Sequence, residues 1–264
     1  MLWRAGLILL ALTRPLAAEP VDVELVLAVD VSRSMDAREQ QVQRDGYVAA
    51  FRDPVVVAEI LSGLHGTIAV SYLEWGGPFE TAVVVDWMRI GSMAEAEEFA
   101  AALAAQPITF GSSTSISSAL RLGQEMIVGN RYDGVRRVID ISGDGPNNTG
   151  PRVDEARDAV VAAGIGINGL PVMINPAQGA FTLPGLDAYY AACVIGGAGA
   201  FVMPVRSVDA FAVTIRRKIL LEVARRPAPA GTLLQVQATA PVDCGIGEAM
   251  RRNWKVIRPA PSGR

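Results

Sequence analysis

Three short stretches, far apart in the chain, carry oxygen ligands that could converge on one point. Asp30-Val31-Ser32-Arg33-Ser34 alternates a carboxylate with two hydroxyls, Gly111-Ser112-Ser113-Thr114-Ser115 is a hydroxyl-rich run, and Ser142-Gly143-Asp144-Gly145 offers a second carboxylate. Two carboxylates with several hydroxyls suit a hard divalent cation. Mg2+ takes about six oxygens at roughly 2.0 to 2.1 Å and keeps some of its water, and Mn2+ can substitute for it. One histidine, His65, and two distant cysteines do not make the clusters that zinc or iron–sulfur sites require.

Taken alone, Asp-x-Ser-x-Ser is a common way to start a helix, because Asp and Ser side chains cap its free N–H groups. The metal reading depends on Thr114 and Asp144 also following suitable elements. Other chemistries lack a part. No serine sits in a G-x-S-x-G elbow. A phosphatase nucleophile at Asp30, of the haloacid-dehalogenase kind, lacks its second acid because Ser32 stands two positions on. Gly164-Ile165-Gly166-Ile167-Asn168-Gly169 spells the dinucleotide pattern, but it follows a helix and opens a strand, the reverse of what phosphate binding needs.

The elements that must position the three stretches are legible from periodicity. Glu24 to Asp30 is a nearly unbroken apolar run, as a strand buried on both faces should be. Asp36 and Glu39 form a capping-box start to a helix running to about Asp53, where Pro54 interrupts it, and a second helix spans about Val55 to Ser62. Thr67–Trp75 and Thr81–Trp87 flank a Gly-Gly-Pro turn and predict a hairpin. Helical stripes follow at Met93–Ala104, Ile116–Ile127 and Val153–Ala163, with strands at Val135–Ser142, Ile165–Leu170 and Ala200–Met203 and a last helix at about Val208–Val223. Alternating strands and helices predict an α/β, doubly wound, mostly parallel sheet with one antiparallel edge strand. Asp30, Thr114 and Asp144 then all fall at the carboxyl ends of strands or on the loops there.

Half of the 264 residues are hydrophobic, enough for a large core, and a formal charge of -3 with mixed signs favours neither nucleic acid nor anionic lipid. Residues 1–18 read as a secretory signal: Arg4, an apolar run from Ala5 to Leu12 too short to span a bilayer, then small residues near Ala18. The expected product is periplasmic or secreted, with no later membrane span. In an oxidising compartment Cys193 and Cys244 are candidates for a disulfide tying the tail, 227–264, back onto the domain, 19–226; one buried and one free thiol is the alternative.

The oxygen constellation resembles the metal-ion-dependent adhesion site (MIDAS) of von Willebrand factor A (vWA) domains, Asp-x-Ser-x-Ser with a distant Thr and a distant Asp. The resemblance runs from about Val23 to Val223. FRDPVVVAEI, IAVSYLEWGG, VIDISGDGPNN and VIGGAGAFV look like a bacterial exported family of unknown function, domain-of-unknown-function family 1194. It implies a vWA/Rossmann-like fold and Mg2+ held by Asp30, Ser32, Ser34, Thr114 and Asp144, with the three hydroxyls direct ligands and the aspartates partly through water. It also implies an open coordination position for a Glu or Asp of a protein partner, and no catalytic residues. Ser113 departs from the pattern, standing where many members carry glycine. Glu74 and Asn147 are further candidates for the ligand face. The alternative function is a metal-dependent hydrolase in which the cation activates water and Glu74 serves as base. Asp140, like Glu74, is otherwise expected to pair with an arginine such as Arg136 or Arg137, and Arg216-Arg217-Lys218 to form a solvated helix face.

Overall fold

The computed structural model describes residues 18–174, 182–224 and 242–257, so the leader expected at residues 1–18 lies almost wholly outside the described residues. The central strand, β1 (Glu19–Asp30), is buried at every residue from Val23 to Asp30. Strands flank it on both edges and helices cover both faces, which is why that stretch tolerates almost nothing polar. Asp36 caps α1 (Ala37–Phe51) in the expected capping box with Glu39. Pro54 does more than end that helix: it opens α2 (Pro54–Leu61), whose Val55 and Val56 N–H groups donate to the Asp53 carboxylate.

The chain continues through β2 (Ile68–Trp75), β3 (Thr81–Ile90), α3 (Met93–Ala104), α4 (Ile116–Gly129), β4 (Tyr132–Gly143), α5 (Val153–Ala162) and β5 (Gly166–Pro171). A short α6 (Leu186–Tyr189) runs into a π turn, Tyr190–Val194, and a 3-10 turn at Val208–Ala210 precedes α7 (Phe211–Val223) and α8 (Ile246–Ile257). The sheet order is β3-β2-β1-β4-β5, and β3 is the antiparallel edge strand. This is the doubly wound arrangement expected from the sequence.

Period-two alternation splits β1 between two cores. Val23, Leu25, Leu27 and Val29 pack with α1, α2, α3 and α7, whereas Val26 and Ala28 face α4, α5 and the α6 segment. From β1 the chain winds first to β2 on one side and later to β4 on the other. The carboxyl ends of β1 and β4 therefore flank the reversal of strand order, where open α/β sheets bind ligands.

Several expectations need correction. Ala200–Met203 is not a strand: the segment makes isolated bridges only, Gly169 to Val202 and Val172 to Val205. The last helix before the tail begins at Phe211, and both the α6 segment and α8 went unread in the sequence. The Arg216-Arg217-Lys218 run is a solvated face only at its arginines. Lys218 is wholly buried, 2.9 Å from Asp140 Oδ1, and donates to Glu222 Oε1 at 2.7 Å, while Arg216 pairs with Asp53. The partner of Asp140 is thus this lysine rather than Arg136 or Arg137, because α7 lies over the face of β4 that Asp140 occupies. Cys193 and Cys244 form a disulfide, with Cα atoms 5.5 Å apart, that joins the π turn to the residues just before α8.

Candidate metal centre

Asp30 ends β1 on the face shared with Val26 and Ala28, and it is fully buried. Its Oδ1 accepts the Ser32 N–H at 2.6 Å, which turns the chain sharply and brings Ser32 back over the strand end. Ser32 Oγ lies 3.1 Å from Ser34 Oγ, and Ser34 Oγ donates to Asp144 Oδ1 at 2.6 Å. Asp144 directly follows β4, one strand away. The other Asp30 oxygen, Oδ2, is buried with no hydrogen-bond partner. A Cβ on Gly143 would lie 2.7 Å from that oxygen, so only glycine leaves room for it.

Three contacts bring the hydroxyl-rich loop to this corner. Gly111 N–H donates to Val31 O, Ser115 N–H donates to Gly76 O, and Thr114 is held twice by Asn148: its N–H donates to Asn148 Oδ1 at 3.2 Å and its carbonyl accepts the Asn148 N–H at 2.9 Å. Glu80, which nothing in the sequence singled out, clamps the loop to the hairpin turn. It accepts from Gly77 N–H, Ser112 N–H and Ser112 Oγ, and these bonds, the hydroxyl's foremost, hold its carboxyl below the usual range. The segments bearing Asp30, Ser32, Ser34, Thr114 and Asp144 are thus assembled at the switch point.

Burial, reinforced by the neighbouring Asp144 charge, pushes the Asp30 carboxyl well up. Asp144 is raised to about 6, by burial first and then by Glu39. A fully buried acid beside a half-buried one is an electrostatic arrangement that a divalent cation would stabilise. Among the described residues no three His, Cys, Asp or Glu side chains cluster as metal ligands. The donor set is instead two acids plus hydroxyls, and with the orphaned Asp30 oxygen it fits a hard cation.

The inner face of α1 supports the corner from behind. Gln40 donates to Val31 O and Met35 O, and Gln43 to Asp30 O, fixing the carbonyls of the turn. Their spacing with Arg44, Tyr47 and Phe51 marks one helix face, a signal present in the sequence but obscured by its polarity. Tyr190 was also missed. Its hydroxyl is buried without a partner, and a Cβ on Gly143 would meet it at 2.9 Å, which sets it on the Asp30 side of the corner.

Glu74 and Asn147 both sit at the carboxyl edge of the sheet, with their side chains engaged within the protein. Glu74 is 2% exposed and forms an ion pair with Arg44, not with Arg136 or Arg137; its second oxygen accepts from Thr109 N–H and Oγ1. Asn147 is wholly buried: its Oδ1 accepts from Ser117 N–H, capping α4 from a distant loop, and its Nδ2 donates to Pro151 O and Glu248 Oε1. Both side chains are spent inside the protein.

Sheet order, switch-point corner and flanking helices together give a von Willebrand factor A-like fold. The chain belongs to the family described as Protein of unknown function (DUF1194), which matches residues 20–227. Solved structures bear out the fold. The pilus adhesin SpaC from Lactobacillus rhamnosus GG aligns at TM-score 0.58 and 12% identity over 78% of this chain and 31% of that one. Proximal thread matrix protein 1 from the mussel byssus, whose structure with a zinc-occupied MIDAS motif is known, aligns at TM-score 0.54 and 14% identity over 79% and 47%. A von Willebrand factor type A structure from Catenulispora acidiphila aligns at 0.52 and 14% over 77% and 43%. This chain spans about a third of the adhesin's length and about half of the byssus protein's. No curated protein matches the sequence.

Proposed function

We propose that this protein is a divalent-cation-dependent, adhesion-type binding module without catalytic activity, in which Asp30, Ser32, Ser34, Thr114 and Asp144 hold Mg2+, or Mn2+ in its place. The observation that carries the reading is the hydroxyl chain from Ser32 through Ser34 to Asp144 beside a buried, unpartnered Asp30 oxygen. When bound, the cation supplies a coordination position to a Glu or Asp of a protein partner. The protein residues orient the donors and exclude water from their far side.

A depression of about 190 Å³ adjoins Ser34 and Asp144, with Asp36 and Glu39 on one side and Ile174, Leu183 and Leu186 on the other. The pairing of Glu74 with Arg44 and Thr109 favours binding over hydrolysis, since it removes the only base nominated for the corner. Among the described residues no helix is long and apolar enough to cross a membrane. The disulfide supports the reading of a periplasmic or secreted product whose domain spans 19–226 and whose tail, 227–264, is tethered by Cys193–Cys244.

Isothermal titration of Mg2+ and Mn2+ into the protein tests the proposal, with Asp30→Ala and Asp144→Ala as controls. Saturable binding lost in both variants, with unchanged circular dichroism, is expected. Wild-type affinity in either variant overturns the assignment. Phosphoester turnover by the metal-loaded protein, lost in Glu74→Gln, would favour the hydrolase instead.

A further inference from the structure

The helix α8 lies beyond the residues that match the family, 20–227, yet it reaches the back of the metal corner. Arg251 Nη1 donates to Asn148 Oδ1 at 3.0 Å, the same oxygen that accepts the Thr114 N–H. Glu248 Oε1 accepts from Asn147 Nδ2 at 2.7 Å, and the other end of that amide caps Ser117 N–H at the start of α4. Gly247 packs so closely that a Cβ there would stand 2.1 Å from the Asn147 carbonyl. Two residues one helical turn apart, Glu248 and Arg251, thus each grip one of two consecutive asparagines, and each asparagine passes the contact on to the Thr114 loop or the start of α4.

The other end of this strap is covalent. Cys244, two residues before α8, is bonded to Cys193 in the π turn. That same segment supplies Tyr189, whose hydroxyl accepts the Asn147 N–H at 3.1 Å. Asn147 is therefore held from both sides of the disulfide, by Tyr189 on one and Glu248 on the other.

We infer that α8 is a positioning element for the metal corner: through Glu248 and Arg251 it fixes Asn147 and Asn148, and through them the loop carrying Thr114 relative to Asp144. Without Arg251 the Asn148 oxygen is held by the Thr114 N–H alone, and without Glu248 the Asn147 Nδ2 keeps only the Pro151 carbonyl, so the geometry of both loops would broaden. Neither Glu248 nor Arg251 is among the nominated ligands, and each acts through an asparagine. The consequence for the cation rests on the function proposed above; the consequence for the loops does not.

Two variants of the full chain test this, Glu248→Ala/Arg251→Ala and the conservative Glu248→Gln/Arg251→Lys. In metal-free protein, hydrogen exchange at the Thr114, Ser117 and Asn148 amides is expected to accelerate about tenfold or more in the double alanine variant, with β1 and β4 amides unchanged. The conservative variant should restore most of the protection. Mn2+ affinity, read by calorimetry, should fall by about tenfold in the double alanine variant, as it does when groups supporting a ligand are removed. Wild-type exchange at those three amides overturns the inference whatever the metal does. Faster exchange with unchanged Mn2+ affinity overturns its extension to the metal. If the wild type binds no Mn2+, the proposed function fails while the exchange data still decide the role of α8.

Discussion

Ser34 and Asp144 stand 110 residues apart in the chain, and the Ser34 hydroxyl donates to Asp144 Oδ1 at 2.6 Å. The bond joins the turn after β1 to the turn after β4, closing the gap at which strand order reverses. In the metal-bound state both oxygens would turn to the cation.

Ser34→Ala and Thr114→Ala each remove one hydroxyl donor while leaving both acids in place. Each is expected to weaken Mn2+ binding by at least about tenfold, since losing a ligand costs no less than losing its support. Stability without metal should change by less than about 1 kcal/mol for Ser34, which is exposed. Calorimetric titration of both variants beside a chemical melt checks this, and full affinity in Thr114→Ala would remove that residue from the ligand set.

Gly143→Ala is the steric counterpart. The added Cβ would stand 2.7 Å from Asp30 Oδ2 and 2.9 Å from Tyr190 Oη. Overpacking of this kind costs about 1 to 3 kcal/mol, and the displaced atom is a proposed ligand oxygen. The expected result is a folded protein with little or no Mn2+ affinity; a variant that binds like wild type would argue against Asp30 as a ligand.

The acids at both ends of the core set a pH dependence. Asp30 is raised well above its usual range by burial and by Asp144; Asp144 is raised to about 6 and Asp140 to about 7, where burial outweighs the Lys218 charge. A carboxyl whose folded pKa exceeds its unfolded value of about 4 binds protons better in the folded state, so stability falls as pH rises through that interval. In chelator the melting temperature is expected to be lower at pH 8 than at pH 5. Saturating Mg2+ at pH 8 should recover the share due to Asp30 and Asp144, and Asp140→Asn should flatten part of the remainder. A chelator profile that rises from pH 5 to pH 8 contradicts this.

Glu74 and Arg44 form the most exposed test of the hydrolase alternative and of the fold together. Glu74→Ala leaves the Arg44 guanidinium buried without a carboxylate, with the Leu103 and Gln106 carbonyls and Tyr72 still beside it. Breaking one half of a buried pair typically costs about 3 to 5 kcal/mol. A loss of that size in urea denaturation is expected, with saturable Mn2+ binding retained in the folded fraction.

The sequence by itself determined the alternation of strands and helices and the doubly wound sheet, and it nominated the ligands. The apolar run into Asp30, the capping box at Asp36 and Glu39 and the hairpin turn are local signals, set by propensity and periodicity, and they survive in the structure almost residue for residue. The spacing of Asp30, Ser32 and Ser34 is local too. The partners of the buried charges were another matter. Lys218 was indistinguishable from its solvated neighbours because helix face, not residue type, decides burial, and Glu74 found Arg44 because α1 happens to cross β2. The roles of Asn147, Glu80, Tyr190 and α8 arise from segments that meet only after the sheet has wound and the disulfide has closed. Such contacts depend on which loops the strand order brings together, and no single stretch of sequence encodes that.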